Sequence, residues 1–123
     1  MSRDQQRLLD YLLHILEAIE RIERYTADVD EMAFLNTPLV QDAVVRNLEV
    51  IGEASRNVEQ HYPDFARQHP DIPFAFAYQM RNAVAHGYFK VDYEIVWKTI
   101  QNDLAGLYES VQSARDTIPG AGT

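Results

Sequence analysis

The chain has 123 residues and a formal net charge of −8, with 46% hydrophobic and 24% charged residues. That is the profile of one ordinary globular domain with one core. It contains no cysteine, which excludes disulfides and thiolate metal sites. No apolar run approaches the ~20 residues that span a bilayer, and the polar start Ser2-Arg3-Asp4-Gln5-Gln6 lacks a signal-peptide core, so no membrane partner and a cytoplasmic location are expected. The acidic balance argues against broad binding to nucleic acid, which rests on many Lys and Arg contacts to phosphate, so no DNA partner is expected. It suits docking to a basic protein partner.

Helical periodicity dominates, without an internal repeat or a linker. The first helix is expected over Arg3–Ala27. Ser2 followed by Gln5 has capping-box spacing. Leu8, Leu12, Ile15, Ile19 and Ile22 form a stripe at steps of three and four, widened by Leu9, Leu13 and Leu16. Glu17, Glu20, Arg21, Glu23 and Arg24 read as a solvated face.

Asp28–Asn36 reads as a connection from which Met32, Phe34 and Leu35 can tuck inward. Thr37-Pro38 reads as an N-cap followed by proline in the first turn of a second long helix, Pro38–Gln60. Its buried side is expected to be Val40, Val44, Leu48, Ile51, Ala54 and Val58. Gly52 costs this helix ~1 kcal/mol relative to alanine and suggests a close helix crossing. Glu53 beside it is either a solvated charge or the partner of a site arginine.

A short helical turn follows over Pro63–His69, then a helix over Pro73–Ala85 with Phe74, Phe76, Ala77, Met80 and Val84 as its apolar contacts. The last helix begins near Val91-Asp92, with Asp92 as cap and one stripe through Val96, Ile100, Leu104, Leu107, Val111 and Ala114. No strand-like alternation appears. The expected fold is all-α, an antiparallel bundle of four main helices plus short helical turns, with one domain over residues 1–118 and a disordered tail over 119–123.

The chemistry concentrates in Met80-Arg81-Asn82-Ala83-Val84-Ala85-His86-Gly87-Tyr88. Arginine offers a permanent charge and a fork of donors suited to phosphate. Histidine trades a proton near neutral pH. Together they supply what metal-free phosphodiester cleavage needs. At roughly 100° per residue, Asn82 and His86 share a helix face while Arg81 and His86 stand roughly 140° apart. Either the helix ends near Ala85, where Gly87 can terminate it, or the two side chains act from different sides of a shared cleft. A site at a helix C-terminus, completed by a second chain, accommodates both.

Each residue alone has a plainer reading. An arginine or histidine at a helix C-terminus often serves its carbonyls and dipole. Tyr88 is one of seven tyrosines. His14, His61 and His69 do not have the spacing of a metal-ligand set, and neither a phosphate loop nor a nucleophile elbow is present, so no metal and no cofactor are expected. Arg46, Arg56 and Lys90 are further candidates for a local cationic cleft with Arg81.

Arg81-Asn82-Ala83-Val84-Ala85-His86-Gly87-Tyr88 matches the Arg-x-x-x-x-His-x-Tyr signature of HEPN domains. Leu48-Glu49-Val50-Ile51-Gly52-Glu53-Ala54 resembles the second-helix signature of the HepT branch. The resemblance covers the chain to about Thr117. It implies a dimeric, metal-independent endoribonuclease, the toxin of a two-gene toxin–antitoxin module, acting on RNA in a cleft between two copies. It implies His86 as general acid or base, Arg81 on the scissile phosphate, and Asn82 orienting the imidazole or bonding the phosphate. Tyr88 would accept AMP from a nucleotidyltransferase antitoxin, adding charge and bulk that block the cleft. The charge of −8 keeps a second expectation in view, a noncatalytic nucleotide-binding or adaptor partner of a minimal nucleotidyltransferase.

Overall fold

A computed structural model describes residues 2–85 and 91–121, with the backbone alone for 80–85. Among the described residues it holds seven helices: α1 (Arg3–Thr26), α2 (Glu31–Leu35), α3 (Pro38–His61), α4 (Pro63–Gln68), α5 (Phe74–Ala85), α6 (Tyr93–Asn102) and α7 (Leu104–Asp116). The fold is all-α, and α3 packs most extensively, against α1 on one side and α5 on the other. Direction follows from cross-helix bonds. The hydroxyl of Tyr62, just past α3, donates to the carbonyl of Asp4 at the start of α1 (2.8 Å), so these helices run antiparallel. Tyr108 in α7 donates to Glu20 late in α1 (3.1 Å), while the Gln5 amide reaches Pro119 beyond α7 (3.5 Å), so α7 also opposes α1.

The stripe of α1 is the core. Leu12, Ile15, Ile19 and Ile22 are fully buried, and Leu8, Leu9 and Leu16 nearly so, while Leu13 turns outward at 37% exposure. Ser2 caps α1 by accepting from the Gln5 amide (3.0 Å). Among the described residues the reciprocal bond of a capping box is not formed; the Gln5 side-chain amide donates instead to the Pro119 carbonyl. Val44, Leu48, Ile51, Ala54 and Val58 form the buried side of α3, with Val40 half-buried and Gly52 buried.

Several local expectations need correction. The Asp28–Asn36 connection contains α2, started by the Asp30 carboxylate accepting from the Ala33 amide (2.8 Å). Phe34 is its buried anchor, between Trp97 (centroids 5.3 Å apart) and Tyr93 (6.1 Å) of α6, whereas Met32 stays 74% exposed. Thr37 holds the N-cap position of α3 without capping it. Its hydroxyl donates backward to the Ala33 carbonyl (2.6 Å), closing α2 instead. Pro38, which has no amide hydrogen to satisfy, still suits the first turn of α3.

The expected single last helix is two, broken at Asp103. Asp103 widens to φ −116° at the junction, while its amide still donates to the Thr99 carbonyl (2.9 Å) and its carbonyl accepts from the Leu107 amide (3.1 Å). The stripe crosses the break undisturbed, with Val96, Ile100, Leu104, Leu107, Val111 and Ala114 all buried. Asp92 caps α6 as expected, accepting from the amides of Glu94 (3.1 Å) and Ile95 (3.3 Å). Residues 119–121 form a turn in which Ala121 is buried and its carbonyl accepts from Arg115 (3.3 Å).

Candidate functional site

Helix α5 positions the motif. Phe74 and Ala77 bury its first turns against the core, and Arg81 follows Ala77 by one helical turn. The backbone of Arg81 and Asn82 thus belongs to α5, which ends at Ala85. The side chains of Arg81 and Asn82 lie outside the described residues, as do His86, Gly87, Tyr88 and Lys90.

The remaining candidates sit on α3, and they separate. Arg46 and Glu53 line a groove of about 420 Å³ between α1 and α3, together with His14, Glu49 and Asn57. Arg46 faces Glu49 one turn on, Nη1 to Oε2 4.0 Å, an exposed pair of small energetic value. Glu53 is exposed. Arg56 leaves this groove for the α3–α5 seam, where its guanidinium carbon lies 5.2 Å from the ring centre of Tyr78. Arg46 and Arg56 are ten residues apart, about 15 Å along the helix. Within one chain they line separate seams of α3.

Sequence reading missed two of these neighbours. His14, whose spacing gives it no place in a metal-ligand set, joins Arg46 and Glu53 across the α1–α3 seam. Tyr78 belonged to no motif. Its only sequence signal was its position three residues before Arg81, on the same helix. Among the described residues, no group of three or more His, Asp or Glu gathers to hold a metal ion, and no helix is long and apolar enough to cross a membrane.

A second, more apolar groove of about 300 Å³ opens where Leu48 and Ile51 of α3 meet Phe76 and Ala77 of α5 and the α6–α7 break. Gly106 borders it, and a Cβ at that position meets nothing within 4 Å. Phe76, expected as an apolar contact of α5, is 45% exposed here.

Buried polar groups mark the rest of α3. The Gln41 amide donates to the Phe34 carbonyl (2.9 Å) and Asn47 to the Ala43 carbonyl (2.8 Å). The hydroxyl of Ser55 is fully buried without a partner among the described residues. Elsewhere, burial and then the Glu20 hydrogen bond push the Tyr108 phenol above its ordinary range; burial does the same to Tyr62, helped by the charge of Asp4.

Comparison with known proteins agrees with the helical frame. The family described as ribonuclease HepT-like matches residues 15–114. A Thermococcus cleftensis protein described as "Probable ribonuclease HepT" is 42% identical over 106 residues, 86% of this chain and 94% of its own length. A candidate RNase of Methanocaldococcus jannaschii is 34% identical over 102 residues (83% and 91%). A candidate RNase of Caldanaerobacter subterraneus is 33% identical over 102 residues (83% and 88%). No solved structure matches the chain. With one family spanning residues 15–114 and relatives similar across nearly their whole length, the chain belongs to the HepT-like family of HEPN proteins.

Proposed function

We propose that this protein is a metal-independent endoribonuclease, the toxin of a toxin–antitoxin module. The observation that carries the reading is the Arg81-x-x-x-x-His86-x-Tyr88 motif at the C-terminal end of α5, in a chain of the HepT-like family. The RNase descriptions of its relatives support it.

In this reading, two copies form a homodimer and bring two motifs to one cleft. His86 takes the proton of the ribose 2′-OH or returns one to the leaving oxygen. Oxygen attack on phosphorus breaks the bond to the 5′-oxygen and leaves a 2′,3′-cyclic phosphate. Arg81 holds the scissile phosphate and its developing charge. Asn82 orients the imidazole or bonds the phosphate. Tyr88 is the control point. AMP transferred to it from ATP by a nucleotidyltransferase antitoxin, with pyrophosphate leaving, adds a negative charge that repels RNA.

The test is cleavage of a labelled RNA in EDTA by unmodified wild type and His86→Ala. General acid–base catalysis is worth roughly 10²–10⁴-fold, and the variant loses that much. Cleavage that survives His86→Ala, or product ends other than 2′,3′-cyclic phosphate, overturns the mechanism. The charge of −8 favours one second reading, a noncatalytic adaptor that binds a nucleotide and a nucleotidyltransferase. Nucleotide binding by unmodified wild type with no cleavage selects it.

A further inference from the structure

Arg56 has two carboxylates within helical reach, Glu53 three residues before it and Glu59 three residues after, both at ion-pair spacing. It pairs with neither. Among the described residues, the ion pairs are Arg46–Glu49 and Arg67–Asp64, and the Arg56 guanidinium instead lies over the Tyr78 ring of α5 at 5.2 Å. That is within the ~6 Å range of a cation–π contact.

This arrangement has a chemical consequence. A cation–π contact involves no hydrogen bond, so it leaves the guanidinium's N–H donors unspent. Arg56 is exposed, so those donors meet solvent, while Tyr78 is half-buried and fixed by its own helix. The ring therefore holds a long, flexible cation in one place without neutralising it. In a chain of net charge −8, such a cation draws in a polyanion locally. Tyr78 also stands three and four residues before Arg81 and Asn82, about 4.5–6 Å along the helix axis. Arg56 is thereby held beside the stretch of α5 whose backbone runs on into the motif.

We infer that Arg56 is a phosphate ligand for the nucleotide flanking the cleavage position, and that Tyr78 is its positioning residue. The inference rests on the ribonuclease reading and extends the binding track from α5 onto α3. A ring on the motif helix carries the cation of the neighbouring helix, which ties the Arg56 donors to the helix that bears the motif.

The test uses the full chain. Binding of a short fluorescein-labelled single-stranded RNA is measured as a function of salt on the His86→Ala background, and cleavage is measured in the otherwise unaltered protein. Arg56→Ala weakens binding about tenfold and lowers the salt slope by roughly one phosphate contact. Arg56→Lys keeps the slope and recovers part of the affinity. Tyr78→Leu weakens binding with the slope unchanged, because the charge remains but is no longer held; Tyr78→Phe, which keeps the ring, binds as the parent does. Thermal melting accompanies each variant. Unchanged affinity and salt slope in Arg56→Ala, with wild type cutting RNA normally, overturn the inference alone. A melting shift with the slope unchanged in Arg56→Ala assigns the pair to stability and also overturns it. If wild type neither binds nor cuts RNA, the ribonuclease reading falls and takes this inference with it.

Discussion

Helices α1 and α5 both pack on α3, and they do so by different means. α1 buries a long stripe of large aliphatic side chains, with Leu12, Ile15, Ile19 and Ile22 fully enclosed. α5 has half the length and buries Phe74 and the small Ala77, while Phe76 remains 45% exposed and Tyr78 carries a cation from α3. One flank of α3 is a dry core seam whose exposed edge carries the groove lined by His14, Arg46 and Glu53. The other is a mixed seam that leads to the motif. The difference teaches a division of labour: stability comes from the α1 flank, which leaves the α5 flank free to hold polar and charged groups at some cost in packing.

The sharpest way to break that comparison is to empty the dry seam. Ile19→Ala removes a fully buried side chain and is expected to cost ~2–5 kcal/mol, read as a lower denaturant midpoint with an unchanged slope. A loss below 1 kcal/mol means the α1 flank is not the anchor.

The polar side of α3 gives the opposite sign. Ser55 buries a hydroxyl without a partner among the described residues, so Ser55→Ala is expected to leave stability unchanged or raise it by about 1 kcal/mol. Clear destabilisation shows that the hydroxyl has a partner that matters. Gly106→Ala is expected to add up to about 1 kcal/mol through helix propensity, since the new methyl meets nothing within 4 Å. A lower melting temperature shows that the groove beside it is filled in solution.

The smallest effect is alkaline. Tyr108 has its folded pKa raised above the ordinary 10.0, by burial first and then by its hydrogen bond to Glu20. The unfolded chain therefore loses this proton first. The stability contributed is complete below pH 10.0 and is lost as pH rises through the folded value. Tyr108→Phe is expected to flatten the alkaline end of the stability profile slightly, measured by melting across pH 9–11; an unaltered profile shows that the phenol is not linked to folding.

What was legible in the sequence follows from the same contrast. The α1 and α3 stripes are long enough for periodicity to mark them, and Ser2 and Asp92 sit where capping chemistry requires. α2 is too short for a period to register, so only Asp30 and the aromatic pocket around Phe34 reveal it. The break at Asp103 is hidden because Ile100, Leu104 and Leu107 keep their spacing through it. At the site, Arg81 and His86 were legible as a motif because their meaning is local. The Arg56–Tyr78 and His14–Arg46 neighbourhoods were not, because each joins two helices whose relative placement no single segment encodes.

The division between a stabilising flank and a chemical one is tested most directly by a single assay: RNA cleavage in EDTA by Arg81→Ala and His86→Ala, each checked for melting temperature against wild type. The account predicts that both variants melt with the wild type and lose cleavage by 100-fold or more. Variants that keep cutting, or that lose activity only as far as they lose stability, contradict it.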